Sequence, residues 1–374
     1  DMATVGEIIA LLDEWYPPDF ADDWDRVGLV LGDPSAEVNR LLLAVDPVQA
    51  VADEAVEIGA DMIICHHPLF LRGVHSMAAT SAKGRLAHLL VSSGIALFTA
   101  HTNADAPEAG VSDAIARALG LQQIRPLQAD TRSPMDKIVV FVPEGAADSM
   151  RNALADAGAG AIGAYDSCSF ESEGIGRFRP LPGANPAVGR VGEPTDVAEV
   201  RVEVVSPRAI RERVLVAMRA AHPYEEPAFD VFELASLAEP HRGSGRLGDL
   251  PERLTLSDFA RRVSEILPQT AHGVRVAGDP NQSIGKVALC GGAGDFLLDH
   301  ARRAGADVYL TSDLRHHPAS EFLEEGGVAL IDIAHYAAES LWLPVLQERL
   351  RARLPDRVEV NVSQVNTDPW TLRA

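Results

Sequence analysis

Aromatic residues and cysteine are scarce in this chain. Phe, Trp and Tyr make up 5% of its 374 residues, so its cores must be mostly aliphatic. Its three cysteines, Cys65, Cys168 and Cys290, are odd in number and far apart, which excludes a disulfide framework. A reducing cytoplasm is the expected compartment. No apolar run reaches the ~20 residues needed to cross a bilayer. The stretch "DMATVGEIIALLDEWYPP" shows no basic segment followed by an apolar one, so no secretory signal is expected there. Positive charge is also short: 33 Lys and Arg face 54 Asp and Glu, a net charge of −21. Such an excess repels nucleic acid and anionic membranes, so neither is an expected partner. It does suit the capture of divalent cations.

What remains is an ordinary globular composition, 47% hydrophobic and 23% charged. The length implies about two domains. "TVGEIIALLDEWYPP" has apolar residues at helical spacing behind Thr4, a good N-cap, and stops at Pro17 and Pro18. "NRLLLAVDP", "DMIICHH" and "IALFTAHTNAD" each carry the short continuous apolar run of a buried strand. Helical patterns separate them, which predicts a mostly parallel α/β sheet with helices on both faces.

The pattern changes near Arg132. "DKIVVFVP", "GAADSMRNALADAGA" and "GAYDSCSF" read as strand, helix and strand. A Gly/Pro-rich stretch follows, and then "VAEVRVEVVS", "PRAIRERVLVAMRAA" and "FDVFELAS" read as strand, helix and strand again. That is the split βαβ, ferredoxin-like order. We therefore expect residues 133–237 to be an inserted α+β domain, and residues 1–132 plus 238–374 to form one α/β domain around it. Past the linker-like "EPHRGSGRLGDL", the outer pattern resumes and ends on the alternating "VEVNVSQVNTDPW".

Four predicted strands end in metal-capable residues: His66 and His67; His101 and Asp105; Asp313, His316 and His317; His335 and Glu339. Parallel strands bring their carboxyl ends to one edge, where α/β sheets bind ligands. His335 and Glu339, at i and i+4, share a helix face. His66 and His67 would point to opposite faces of a strand and can converge only if the chain turns there. Imidazoles mixed with carboxylates suit zinc, iron or manganese rather than calcium. Five or more such ligands imply spectators or two ions, and Asp105 and Glu339 are suited to bridging a pair. Taken singly, each motif also reads as a hydrogen-bonded surface residue, a solvated loop or an ordinary helix pair. His75, His88, His222, His241, His272 and His300 read as structural or surface residues, and Cys65 as a small buried hydrophobe. "GGAGD", residues 291–295, reads as a tight turn or a phosphate cradle.

"WDRVGL" (24–29), "ICHHPLF" (64–70), "HTNADA" (101–106), "TSDLRHH" (311–317) and "IAHYAAE" (333–339) resemble the GTP cyclohydrolase 1 type 2 homologs, the Nif-three-like dinuclear metal centre proteins. The resemblance runs from near residue 5 to near 370. The insert, with "HPYEEPAFDVF", looks like the PII/CutA-like domain of the long bacterial members. The resemblance implies two divalent metal ions held by His66, His67, Asp105, His335 and Glu339, with Asp313, His316 and His317 near the site but not ligands. It also implies a homohexameric toroid, and a hydrolase that opens the guanine ring of GTP and releases formate. His101 would be the general acid/base, or else a residue that orients a ligand. The alternatives are another metal-dependent nucleotide or phosphoester hydrolase, and a non-enzymatic metal-binding regulatory or trafficking protein. Arg26, Ser312 and Ala334 stand where the family has Asn, Gly and Gly; none of these removes a ligand.

Overall fold

The computed structural model describes residues 3–374. The chain divides into two compact units. One takes the chain up to Asp130 together with Glu239–Ala374, and the other is Thr131–Ala238.

The first unit holds two principal sheets rather than the single sheet expected from the sequence. The five-stranded sheet runs, in spatial order, Glu359–Val362, Arg40–Ala44, Met62–Cys65, Ala96–Thr99 and Gly28–Leu31. The first four are parallel, and Gly28–Leu31 closes the edge antiparallel. Alternation along each strand divides its residues between two cores. Leu41, Leu43, Met62 and Ile64 pack with Val5, Ile8 and Leu12 of helix Val5–Trp15, and with Leu346 and Leu350 of helix Trp342–Arg353. Leu42, Ile63 and Cys65 pack with Ala52 and Leu90 of helices Gln49–Ile58 and Ala82–Ser92. A strand buried on both faces cannot alternate polar and apolar, hence the continuous apolar runs. Burying each such aliphatic side chain stabilises the fold by roughly 2 kcal/mol. Thr4 caps the first helix as expected: its Oγ1 accepts from Glu7 N at 3.2 Å, and Glu7 Oε2 accepts from Thr4 N at 2.8 Å.

The six-stranded sheet runs Val274–Ala277, Ala329–Ile333, Val308–Ser312, Ser283–Ala293, Ala238–Thr255 and Gln122–Thr131. Its three middle strands, Ala329–Ile333, Val308–Ser312 and Ser283–Ala293, are parallel. "EPHRGSGRLGDL", which reads as a linker, lies instead within the 18-residue strand Ala238–Thr255. Helix Val111–Ala118 joins the two cores: Val111 and Ala114 pack with the first sheet, Ile115 and Ala116 with the second.

The second unit is one antiparallel sheet in the order Phe229–Glu233, Met135–Pro143, Thr195–Pro207, Ser169–Phe178. Helices Ala147–Asp156 and Arg211–Ala221 supply Met150, Leu154, Val214 and Met218 to its core. The strand expected over "GAYDSCSF" begins later, at Ser169, and runs on through Gly174 and Gly176.

Candidate metal centre

Four histidines and two carboxylates gather where strands of both sheets of the first unit end. His66 and His67 follow Met62–Cys65. The ladder continues just past the strand: His66 N donates to Ala44 O at 3.2 Å, and His67 N to Val45 O at 2.9 Å. The chain then turns at Pro68, and the two rings lie 5.0 Å apart instead of on opposite faces. His101 follows Ala96–Thr99 and precedes the short helix Thr102–Asp105, which ends on Asp105. Its ring is 5.1 Å from that of His66 and 5.4 Å from that of His67. His335 comes from the other sheet, opening helix His335–Ser340 behind strand Ala329–Ile333. One turn on, Glu339 places Oε1 2.8 Å from His335 Nε2.

Each of the four imidazoles is gripped by its outer nitrogen. Nδ1 of His66 donates to Ala100 O (2.9 Å). Nδ1 of His67 meets Asp46 Oδ1 (2.7 Å), Nδ1 of His101 meets Asp25 Oδ1 (2.8 Å), and Nδ1 of His335 meets Asp313 Oδ2 (2.6 Å). A proton on Nδ1 leaves Nε2 as the inward lone pair, which is how metal-binding imidazoles are fixed. Around Glu339 the spacing is close. Oε1 is 3.4 Å from His66 Nε2, and Oε2 is 3.1 Å from His67 Nε2. Asp105 Oδ1 is 3.7 Å from His66 Nε2. Among the described residues two groups bring three donor atoms within 4.8 Å of one another: His66, His67 and His101, and His67, His335 and Glu339.

The centre fits a cation. Glu339 is 3% exposed, and its two carboxylate oxygens face the Nε2 atoms of His66, His67 and His335 at 3.4, 3.1 and 2.8 Å. A buried carboxylate calls for positive charge beside it, which protonated imidazoles supply here and a divalent ion would supply in their place. Burial works against charge on His67, but Glu339 and Asp46 outweigh it and hold its pKa at about 11. His335 follows the same logic: burial opposes its charge, Glu339 and Asp313 favour it, and the result is about 9. Burial would raise the Glu339 pKa, yet His66 and His67 keep it well below the carboxylate range. His66 is pushed down, chiefly by burial. In the bare centre, protons on imidazoles balance the Glu339 carboxylate, and a divalent ion would displace them.

Several contributors escape the ligand pattern in the sequence. Asp46 follows strand Arg40–Ala44 as closely as His67 follows its own strand, so the same strand-exit signal marks it. Asp25 sits in "WDRVGL", too far along the chain to be tied to His101 by spacing. The first three residues of "GGAGD" end strand Ser283–Ala293 instead of forming a tight turn; Gly292 is at φ +68°, and a Cβ there would lie 3.0 Å from Glu339 Oε1 and 3.4 Å from His335 Nε2. The end of this strand thus fits closely against Glu339 and His335. Arg246, 1% exposed, donates to Ala106 O (3.0 Å) and Pro107 O (2.8 Å) and so braces the segment just after Asp105. His272 is more than surface filler: it lies 3.0 Å from Asp332 Oδ2 and lines a cavity of about 330 Å³ beside His67 and His335. His316 and His317 pair edge to face at 5.2 Å and belong to neither metal-capable group. Cys65 is buried on the opposite side of its strand, among Leu42, Ile63 and Leu90. The second unit has a larger cavity, about 610 Å³, bordered by Phe141, Ile175, Phe178 and Tyr224, with no metal-capable group among the described residues. No helix of the described residues is long and apolar enough to cross a membrane.

The profile of Duf34/NIF3 (NGG1p interacting factor 3) matches residues 3–369. This chain belongs to the DUF34/NIF3 family. A relative in Mycobacterium tuberculosis, named GTP cyclohydrolase 1 type 2 homolog, is 47% identical over 98% of this chain and 97% of its own length. A Bacillus subtilis protein of the same name is 38% identical, with 98% and 97% covered. Among solved structures, a Bacillus cereus protein related to NIF3 is 36% identical, with a TM-score of 0.69 and both chains covered completely. A Staphylococcus aureus protein gives a TM-score of 0.80 at 30% identity, covering 100% of this chain and 99% of that one. This DUF34/NIF3 chain is thus matched along its whole length, both units included.

Proposed function

We propose that the protein is a dinuclear-metal-dependent hydrolase that opens the guanine ring of GTP and releases formate. The observation that carries it is the buried Glu339 carboxylate, set among inward-facing imidazoles from two sheets. The relatives' printed name supports the choice of substrate. His66, His67, Asp105, His335 and Glu339 would hold two divalent ions, zinc, iron or manganese. The ions, when bound, supply Lewis acidity and make water a nucleophile near neutral pH. The chain's own residues do the rest. Asp46 and Asp313 orient His67 and His335 and raise their basicity as ligands. His101, held through Nδ1 by Asp25, keeps Nε2 directed at the centre, where it would pass protons to and from the ring nitrogens as general acid and base. Burial works against the Asp25 carboxylate, but hydrogen bonds from His101 and Thr102 outweigh it and hold its pKa below the usual range.

The same reading extends to the whole molecule. The βαββαβ order of Thr131–Ala238 and its sheet order support a ferredoxin-like, PII/CutA-like inserted domain. The assembly would be a homohexamer, checked by a solution mass six times the 40.0 kDa of one chain. The free thiols of Cys65, Cys168 and Cys290 support a reducing, cytoplasmic setting.

The deciding experiment is formate release from GTP by protein stripped of metal, then reloaded separately with zinc, manganese and iron, beside a His66→Ala control. Metal-dependent formate that the control lacks is the expected result. No formate with any metal, while two ions remain bound per chain, would sink the ring-opening reading and leave another hydrolase or a non-enzymatic metal-binding protein. Inorganic phosphate in its place would mean a phosphoester hydrolase.

A further inference from the structure

The cavity of about 610 Å³ in the second unit has no part in the metal chemistry, yet its volume falls in the range of small-molecule sites. Alternation along the strands sets Val140, Val142, Val200 and Val202 against the two helices. The same alternation turns Phe141, Glu199 and Arg201 to the other face of the sheet, where they line the cavity. Gly174 lies opposite Glu199 in the ladder, so it shares that face. A Cβ on Gly174 would meet nothing within 4 Å, which leaves a bare strand as the floor. Phe178 and Tyr224 wall the space, their rings 6.0 Å apart. Tyr224 belongs to the "HPYEEP" segment, and buried His222 seats it: Nε2 donates to Phe141 O at 2.8 Å, and Nδ1 accepts from Tyr224 N at 3.1 Å.

The charges are one-sided. Four carboxylates line the cavity, Glu173, Glu199, Glu225 and Glu226, against two guanidinium groups, Arg177 and Arg201. Both arginines are engaged by acids outside the lining, Arg201 by Glu203 at 2.8 Å and Arg177 by Asp196 at 3.3 Å. Glu199 accepts from a neutral group, the Tyr224 hydroxyl, at 3.1 Å. Burial and the Glu199 carboxylate push that hydroxyl up to about 12, so it stays a neutral donor and leaves the carboxylate its charge. We propose that this cavity binds an organic cation, an ammonium group on an apolar ring-sized body. The ammonium pairs with Glu199, and the body lies over the Gly174 backbone against Phe178 and Tyr224, whose ring faces also attract a cation. A bare metal ion is not the occupant, because the groups of three donors within 4.8 Å of one another lie elsewhere among the described residues. An anion would face more carboxylates than guanidinium groups, and those guanidinium groups are already paired.

The test titrates the full-length protein by calorimetry with three probes of one shape: naphthylmethylamine, naphthylmethanol and naphthoate. The amine is expected to bind at least about tenfold more tightly than the alcohol, and the naphthoate more weakly than either. Glu199→Gln keeps an oxygen to accept from Tyr224 but loses the charge. It should weaken the amine about tenfold and leave the alcohol unchanged. Gly174→Val fills the open floor with a residue suited to a strand. It should abolish binding of both probes while the melting temperature and metal content hold. Alcohol or naphthoate binding as tightly as the amine would overturn the proposal, as would no binding of the amine; these readings use the unaltered protein and need no variant to fold. Amine binding untouched by Gly174→Val would place the probe elsewhere and overturn it as well. A lower solution mass for Gly174→Val would mean that a second copy of the chain fills the cavity, which also overturns it.

Discussion

Asp313 accepts the Nδ1–H of His335 at 2.6 Å, and it does so from a left-handed backbone, φ +57°. Aspartate tolerates that region better than most residues, but the conformation still costs of order 1 kcal/mol. The cost is offset by an imidazole held with Nε2 toward Glu339. Asp313→Ala should lower metal affinity about 10- to 100-fold while the fold persists. Asp313→Gly separates the two effects, because glycine relaxes the backbone but cannot hold the ring. It should melt no lower than the alanine variant, yet bind metal just as poorly in competition with a chromophoric chelator. Metal affinity retained in the glycine variant would mean that the carboxylate is dispensable.

Gly292 serves the same ligand pair from the other side. A Cβ at this position would crowd Glu339 Oε1 at 3.0 Å and His335 Nε2 at 3.4 Å. Gly292→Ala should reduce metal affinity at least about tenfold, a loss of the size seen when ligand-supporting residues change. Gly94→Ala is the control. Gly94 also has positive φ, +70°, but a Cβ there meets nothing within 4 Å. Both variants carry similar backbone strain, so similar losses of melting temperature are expected. Metal loss should be confined to Gly292→Ala, and equal losses in both would show that general strain is responsible.

His101 stands close enough to His66 and His67 to act either as ligand or as proton carrier. The two roles part company in His101→Ala. If His101 moves protons, the variant keeps two ions per chain by elemental analysis and loses formate release about 100-fold or more. Loss of one ion equivalent would reassign it as a ligand, and unchanged turnover would remove it from the chemistry. Asp25→Asn should reproduce part of the effect, since Asp25 fixes the His101 ring.

How much of this was legible beforehand depends on the kind of signal. The candidates His66, His67 and His335 stood out because each follows the apolar run of a buried strand, and Asp105 and Glu339 because they come four residues after His101 and His335. One such motif alone also reads as a solvated loop or an ordinary helix pair; it is their joint occurrence at strand exits that points to a metal. The turn after His67 was not readable, because it depends on ladder bonds to Ala44 and Val45 of a neighbouring strand. The second sheet was hidden for a related reason: local patterns mark strands but do not say which strands pair. Ala238–Thr255 was missed because Gly243 and Gly245 look like strand breakers. Both are there for close approach. A Cβ on Gly243 would lie 2.1 Å from Gln128 O, and one on Gly245 would lie 2.7 Å from Leu289 O. The proton-holding partners Asp25 and Asp313 carry no periodic signal; only the folded geometry pairs them with histidines.

The second unit has its own pH-sensitive joint at Asp136. This carboxylate is fully buried by surface area and accepts from Arg208 Nε at 3.0 Å, Arg211 Nε at 2.7 Å and Arg211 Nη2 at 3.0 Å. The hydrogen bond from Arg211, against burial, holds its pKa below the usual carboxylate value. A depressed native pKa means that the unfolded chain takes up the proton first as pH falls. The stabilisation is thus complete above the unfolded value of about 3.9 and drains away as pH drops through the lower native one. Asp136→Asn lacks this titration. The melting-temperature gap between wild type and Asp136→Asn should be flat from pH 7 to about 5 and should shrink below about pH 4. The two arginines, left facing a neutral amide, should make the variant the less stable protein throughout that plateau. A gap that stays constant down to pH 2.5 would show that Asp136 titrates alike in the folded and unfolded chains.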